Sequence, residues 1–211
     1  MTEPIEPIHL AADSRKLGTA VLSRAFLGDP LYRYIFPDND ERSLVLSRLF
    51  GAVVGYSLKF GLVHSTASVE GVACWLSPGN TKVTFWRMFR TGMAFQRAVG
   101  RIQADARGQL LDALAYTDGI HKRLLAGNYM DSHWYLWALG VDPEYQGRGI
   151  GGKLIQPVLI LSDRSGNPCY LETFNERNVA FYERWGFEVR IEEVVPGTEV
   201  EFWSMIREPQ P

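Results

Sequence analysis

The sequence predicts a single α/β domain around one mixed sheet. Three observations carry that expectation. The chain has 211 residues, 46% of them hydrophobic, 12% aromatic and 22% charged, which suits one domain of ~100–200 residues with a full core and excludes disorder or a fibrous repeat. Its final third alternates strand, helix and strand, the pattern of a sheet covered by helices. No internal repeat and no linker rich in Ser, Gly or Pro divides residues 1–211.

Charge and cysteine usage narrow the class further. Twenty-two basic against 24 acidic residues give a formal charge of -2, so the positive field that nucleic acid or anionic membrane requires is not expected, and neither is expected as a partner. Cys74 and Cys169 lie in apolar runs without CxxC spacing, and four scattered histidines form no ligand cluster. Neither a disulfide framework nor a metal site is expected. The start, MTEPIEPIHL, lacks a basic and then apolar leader, and no window reaches ~18 uncharged apolar residues, so a cytoplasmic location is expected.

The elements follow in chain order. Residues 5–10 read as a short strand, then a helix with Leu17, Val21, Leu22, Ala25 and Phe26 on one stripe ends near Gly28. After the loop GDPLYRYIFPDND, a second helix starts at Asn39 or Asp40, carries Leu46, Leu49, Phe50 and Val53 inward and stops before Gly61. LVHST and VEGVACWL read as paired strands closed by a turn at residues 77–80. Helices are expected at about 81–98 and 103–126. The first places Trp86, Phe89 and Met93 on one face and Arg87, Arg90, Arg97 and Arg101 on another, either a solvated stripe or a lid steering an anion. HWYLWALGV is a buried strand, 149–164 a helix with Ile150, Leu154, Val158 and Leu161 inward, and CYLET a strand. Pro157, inside that helix, removes a backbone bond and costs ~3 kcal/mol, usually as a kink. A short helix at 176–185 ends at Gly186, and strands near 187–194 and 199–206 flank the Pro196 and Gly197 turn.

The run VDPEYQGRGIGGK, residues 141–153, matches three phosphate-binding patterns. Gly147, Gly149 and Gly152 fit GxGxxG, with Glu172 twenty residues beyond Gly152 where a dinucleotide fold puts its ribose-binding acid. That fingerprint turns directly at the strand end, whereas Asp142 to Gln146 intervene here, and too few strands follow for a doubly wound sheet. Gly147, Gly152 and Lys153 fit most of GxxxxGK, but Leu154 replaces the Ser or Thr that binds magnesium. The third pattern has Gln146, Gly149 and Gly151 ahead of an amphipathic helix. A pyrophosphate at a helix N-terminus needs backbone N–H groups without intervening Cβ atoms, and Gly147, Arg148, Gly149, Ile150, Gly151 and Gly152 supply them. Without a ligand, each glycine inside the helix would cost ~1 kcal/mol with nothing to offset it.

This third pattern resembles the acyl-CoA loop of the GNAT superfamily of N-acetyltransferases. ETFNERNVAFYERWGF, residues 172–187, resembles the second signature of the same family, a short helix bearing Asn and Tyr and ending in Gly-Phe. The order of features from Trp134 to Pro209 is similar to that of puromycin N-acetyltransferase-like bacterial proteins, most weakly matched between 80 and 130. The resemblance implies a mixed, mostly antiparallel sheet of about seven strands, helices on both faces and a splay between strands 4 and 5. Residues 1–130 would form mainly the acceptor side and 131–208 the acetyl-CoA half of one domain.

The resemblance also implies the chemistry: an acetyl group passes from acetyl-CoA to a primary amine of a small molecule, without a metal and without a covalent enzyme intermediate. The donor's arm would enter the splay and pair with the backbone of Leu139 and Val141, with the N–H of Leu139 or Gly140 polarising the carbonyl. Asn175 or Asn178 would bond the arm, and Tyr182 would stand beside the thioester sulfur as acid. Glu172, at the end of the neighbouring strand beside Trp137 and Phe174, is the candidate base, or alternatively a strand-end anchor. Phe181, Trp185 and Phe187 are expected in the core. Asp29, Tyr32 and Phe36, with Trp75, are expected to line the acceptor pocket, and an aromatic pocket with one carboxylate suits a small cationic or aromatic amine. The loop GDPLYRYIF and the helices between 81 and 126 are expected to shape it. A monomer or homodimer is expected. The rival class is a non-catalytic CoA-binding sensor, which needs the loop but no acid or base at the thioester.

Overall fold

Among the described residues, seven strands form one sheet in the order β1-β2-β3-β4-β5-β7-β6, antiparallel at every pair except β4–β5. The structure, a computed structural model, describes residues 6–82, 87, 90–91, 93–127 and 131–210. The strands are β1 (Ile8–His9), β2 (Gly61–Ser65), β3 (Gly71–Leu76), β4 (Trp134–Val141), β5 (Cys169–Thr173), β6 (Glu188–Val194) and β7 (Glu201–Arg207). Helices α1 (Arg15–Ala25), α2 (Pro30–Ile35) and α3 (Asn39–Phe60) precede β2. Helices α4 (Ala94–Val99) and α5 (Ala104–Leu124) lie between β3 and β4, α6 (Ile150–Ser165) joins β4 to β5, and α7 (Glu176–Glu183) follows β5.

The alternation of strand side chains sorts the core into two layers. Val72, Cys74 and Ala138 pack against Val21, Leu22, Leu46 and Phe50 of α1 and α3. Ala73, Trp75, Leu136 and Leu171 pack on the other side against Leu154, Ile155 and Val158 of α6. The register slips within β4: Cys74 faces Ala138 but Trp75 faces Leu136, so Trp137 is an extra, bulged residue. Beyond it the alternation is reset.

Local chemistry explains where the sequence reading needs correction. The loop GDPLYRYIF contains α2, because the Asp29 carboxylate accepts from Leu31 N at 3.0 Å and Pro30 takes the first turn, where a missing N–H costs nothing. In α6, Ile155 and Leu159 are buried while Leu161 is 39% exposed, and α6 runs through Pro157 as one helix. Leu17 of α1 is also exposed. Of the arginine-bearing helix expected at 81–98, Trp86 and Phe89 lie outside the described residues, and α4 begins at Ala94. Helix α3 is long and apolar enough to cross a membrane by length and composition, but its apolar stripe is spent on the core. Cys74 and Cys169 are free and buried.

A clasp closes the fold at β7. The buried Arg207 guanidinium grips both oxygens of Asp163 in α6, at 2.7 and 2.9 Å, and donates through Nε to the Trp185 carbonyl at 3.0 Å. The charge-assisted fork fixes three segments against one another.

Candidate active site

Strands β4 and β5 pair only over Trp134–Leu136 and Cys169–Leu171. Beyond Leu136, β4 keeps β3 on one side and has a gap on the other. Asp142 N donates to Glu70 O at 2.8 Å. Because amides alternate along an antiparallel ladder, Gly140 N–H also turns to β3, while the backbone groups of Leu139 and Val141 face the gap. Of the two candidate N–H groups, only that of Leu139 is aimed there. Gly140 is glycine for a different reason, since a Cβ on it would lie 2.8 Å from Ala25 and 2.9 Å from Leu22.

At the open end of the gap the loop 142–149 turns into α6. Asp142 is anchored by Arg24 of α1, whose Nε lies 2.9 Å from Oδ2, and its other oxygen accepts from Glu144 N. Gln146 donates through Nε2 to Val141 O at 3.0 Å, which bends the loop over the strand end. Gly147 and Gly149 take φ of 75° and 78°, the left-handed region that other residues rarely adopt. Gln146 to Gly149 are exposed. The first bond of α6 runs from Lys153 N to Gly149 O, so the N–H groups of Ile150, Gly151 and Gly152 precede the helical ladder at its positive end. Gly152 lacks a Cβ for packing: one there would overlap the ring of Trp185, the residue whose main-chain carbonyl Arg207 binds.

Helix α7 borders the same layer. Tyr182 is 6% exposed and packs edge-on to Phe181 and Phe187, and burial raises its pKa, so its hydroxyl stays protonated. The two asparagines have local duties. Asn175 Oδ1 caps α7 by accepting from Arg177 N at 3.2 Å, and Asn178 Nδ2 donates to Thr173 Oγ1 at 3.0 Å.

The opposite face of β4 and β5 holds a cavity of about 450 Å³, lined from α3, α4, α5, β4 and β5 by Tyr56, Phe95, Trp137, Tyr135, His121 and Glu172 among others. Glu172 is its chemical centre. Oε1 accepts from Tyr170 OH at 2.8 Å and Oε2 from Tyr135 OH at 3.0 Å. Burial pushes its pKa up to about 7, against the pull of those two hydroxyls. A carboxylate at that value exchanges protons at neutral pH. Behind it His121 stacks on Tyr170, with ring centres 4.3 Å apart, and meets His133 Nε2 to Nε2 at 2.8 Å. Burial first, and His133 second, lower the His121 pKa to about 3, so it is neutral.

The cavity wall takes none of the four acceptor residues expected there. Asp29 caps α2, with burial raising its pKa to about 6. Phe36 is fully enclosed among Leu31, Ile35 and Leu49, and Tyr32 packs edge-on to Phe26 and Phe50. Trp75 is 0% exposed and points to the α6 layer, because odd-numbered positions of β3 face that way. Phe174, expected beside Glu172, packs on Phe202. The helices between 81 and 126 do form the wall. The sequence reading missed Tyr135, Tyr170, His121 and His133. Tyr170 and Glu172 are two apart on one strand face, a signal that was available, whereas nothing in sequence links His121 to the strands.

A mixed sheet parted at its parallel pair carries a glycine-lined helix start on one face and a titratable carboxylate on the other. The mainly antiparallel strand order is not that of a dinucleotide fold. Residues 104–189 match the family model for the acetyltransferase (GNAT) domain. Over that segment the chain is similar to GNAT acetyltransferases. It is 28% identical over 206 residues to an uncharacterized N-acetyltransferase of Schizosaccharomyces pombe, covering 96% of this chain and 83% of that one. Similar folds occur in arylalkylamine N-acetyltransferase 2 from Aedes aegypti (TM-score 0.64, 16% identity, 99% and 100% of the two chains). They also occur in a histone acetyltransferase HPA2 and related acetyltransferase from Corynebacterium glutamicum (0.61, 19%, 98% and 97%).

Proposed function

We propose that the protein transfers the acetyl group of acetyl-CoA to the primary amine of a small molecule. The observation that carries this reading is the parting of β4 from β5 beyond Leu136, beside a cavity whose wall holds an ionisable carboxylate. The N–H groups from Gly147 to Gly152 would hold the pyrophosphate, and the Leu139 and Val141 backbone the arm. The donor supplies a reactive thioester. Glu172, near neutrality in its pKa, takes the ammonium proton and frees the nitrogen lone pair. Leu139 N–H stabilises charge on the carbonyl oxygen, and Tyr182, held protonated by burial, gives its proton to the departing sulfur and is restored by the second proton that the nitrogen loses on becoming an amide. The acetyl group moves directly, with no enzyme-bound acyl. The buried free thiols of Cys74 and Cys169 suit a reducing cytoplasm.

Two of the fold neighbours, an arylalkylamine and a polyamine N-acetyltransferase, are described by names that fit an amine acceptor. The test is thiol release from acetyl-CoA with a panel of primary amines, alongside calorimetry with CoA. Amine-dependent release supports the reading. CoA binding without release would make the protein a sensor, and no heat on adding CoA would remove both.

A further inference from the structure

Resting on the transferase reading of this cavity, the inference concerns which amines enter it. Two acids line the wall, Asp118 and Glu172, and so do two lysines, Lys82 and Lys122. Lys122 lies one turn after Asp118 on α5 and pairs with it, and Lys82 pairs with Asp131 at 2.8 Å. Glu172 is thus, among the described residues, the lining acid with hydroxyl partners and no cation beside it. Between these groups the wall is aromatic, with Tyr56 edge-on to Trp137 at 5.4 Å and Phe95 adjoining.

An ammonium group drawn to Glu172 therefore satisfies the one uncompensated carboxylate. A second ammonium on the same molecule must lose water against rings or displace Lys122 from Asp118, the other acid of the wall. We propose that the cavity selects monoamines with an apolar or aromatic body and rejects diamines, and that Lys122 enforces the rejection. Lys122 is a specificity determinant and takes no part in proton or acetyl transfer. Both members of its ion pair are more than half exposed, so replacing it should leave the fold intact.

The experiment compares kcat/KM for 2-phenylethylamine and 1,4-diaminobutane, with acetyl-CoA as donor, in wild type, Lys122→Gln, Lys122→Arg and Lys82→Gln. Wild type should favour the monoamine at least tenfold. Lys122→Gln should raise the diamine-to-monoamine ratio roughly fivefold, the scale of one charge removed about 8 Å away in a wet cavity, and Lys122→Arg should not. A wild-type preference for the diamine, or a ratio unmoved by Lys122→Gln and Lys82→Gln together, overturns the proposal alone. Failure of folded, CoA-binding protein to acetylate any amine overturns the transferase reading and the proposal with it.

Discussion

The same few residues of β4 and β5 present two unlike surfaces. Toward α6 they show Trp134, Leu136, Cys169 and Leu171, all apolar and closed over by one helix. Toward α5 they show Tyr135, Trp137 and Glu172, polar or amphipathic and lining a cavity, with Tyr170 buried behind and bonded to Glu172. One face is built for rigidity, with side chains that interlock around a helix start. The other leaves space and keeps a carboxylate where water is scarce. The contrast teaches that a strand pair can separate holding from reacting by the alternation of its side chains, while the backbone in the gap serves both.

Substitutions on either face test that separation. The largest effect is expected from Glu172→Gln on the reacting face. Turnover should fall ~10²–10⁴-fold, and the rise of wild-type activity with pH, centred near 7, should vanish. Stability should move the other way. A carboxyl whose pKa is raised from 4.5 to about 7 on folding binds its proton more tightly in the native state, so wild type loses stability as pH rises between those values. Glu172→Gln should lose less over that window, and melting curves at pH 5 and 8 check it. Retention of the pH limb would hand the base role to another group.

Tyr182→Phe comes next. Turnover should drop ~10²-fold while thermal protection by acetyl-CoA is nearly retained, since the ring stays packed on Phe181 and Phe187. Gly152→Ala acts on the holding face. Its methyl group must displace Trp185, which should cost ~1–3 kcal/mol and weaken protection by CoA, both read from melting temperatures. The smallest effect is expected from Arg24→Gln, which frees Asp142 at the root of the donor loop. Arg24 is half exposed, so stability should change by no more than ~1 kcal/mol, and a raised KM for acetyl-CoA is the sensitive readout.

The holding face was legible in the sequence because its signals are local. Apolar spacing in 150–158, glycines at 147 and 149 and the strand run 134–141 each declare themselves within a few residues. The boundaries of α3, α6 and β5 follow the expected ranges to within a residue or so. The cavity around Glu172 was not legible in the same way. Its wall draws on positions near 52, 95, 118, 135 and 172, brought together only by the order of strands and the docking of α5. Phe36 and Trp75 were expected there from their places in the first interhelical loop and at a strand end, but an aromatic residue in a strand or loop is equally fit to fill a core, and which face it takes depends on register. The bulge at Trp137 is the sharpest instance, since one extra residue resets which side chains of β4 look into the cavity.

The Arg207 clasp has a temporal consequence. Trp185, which seats the start of α6, is itself held by an arginine 55 positions downstream of Gly152. While the chain is still emerging from the ribosome, the glycine run is complete long before anything can brace it. Affinity for the donor is therefore expected to be the last property the nascent protein acquires, arriving only when its final strand has docked.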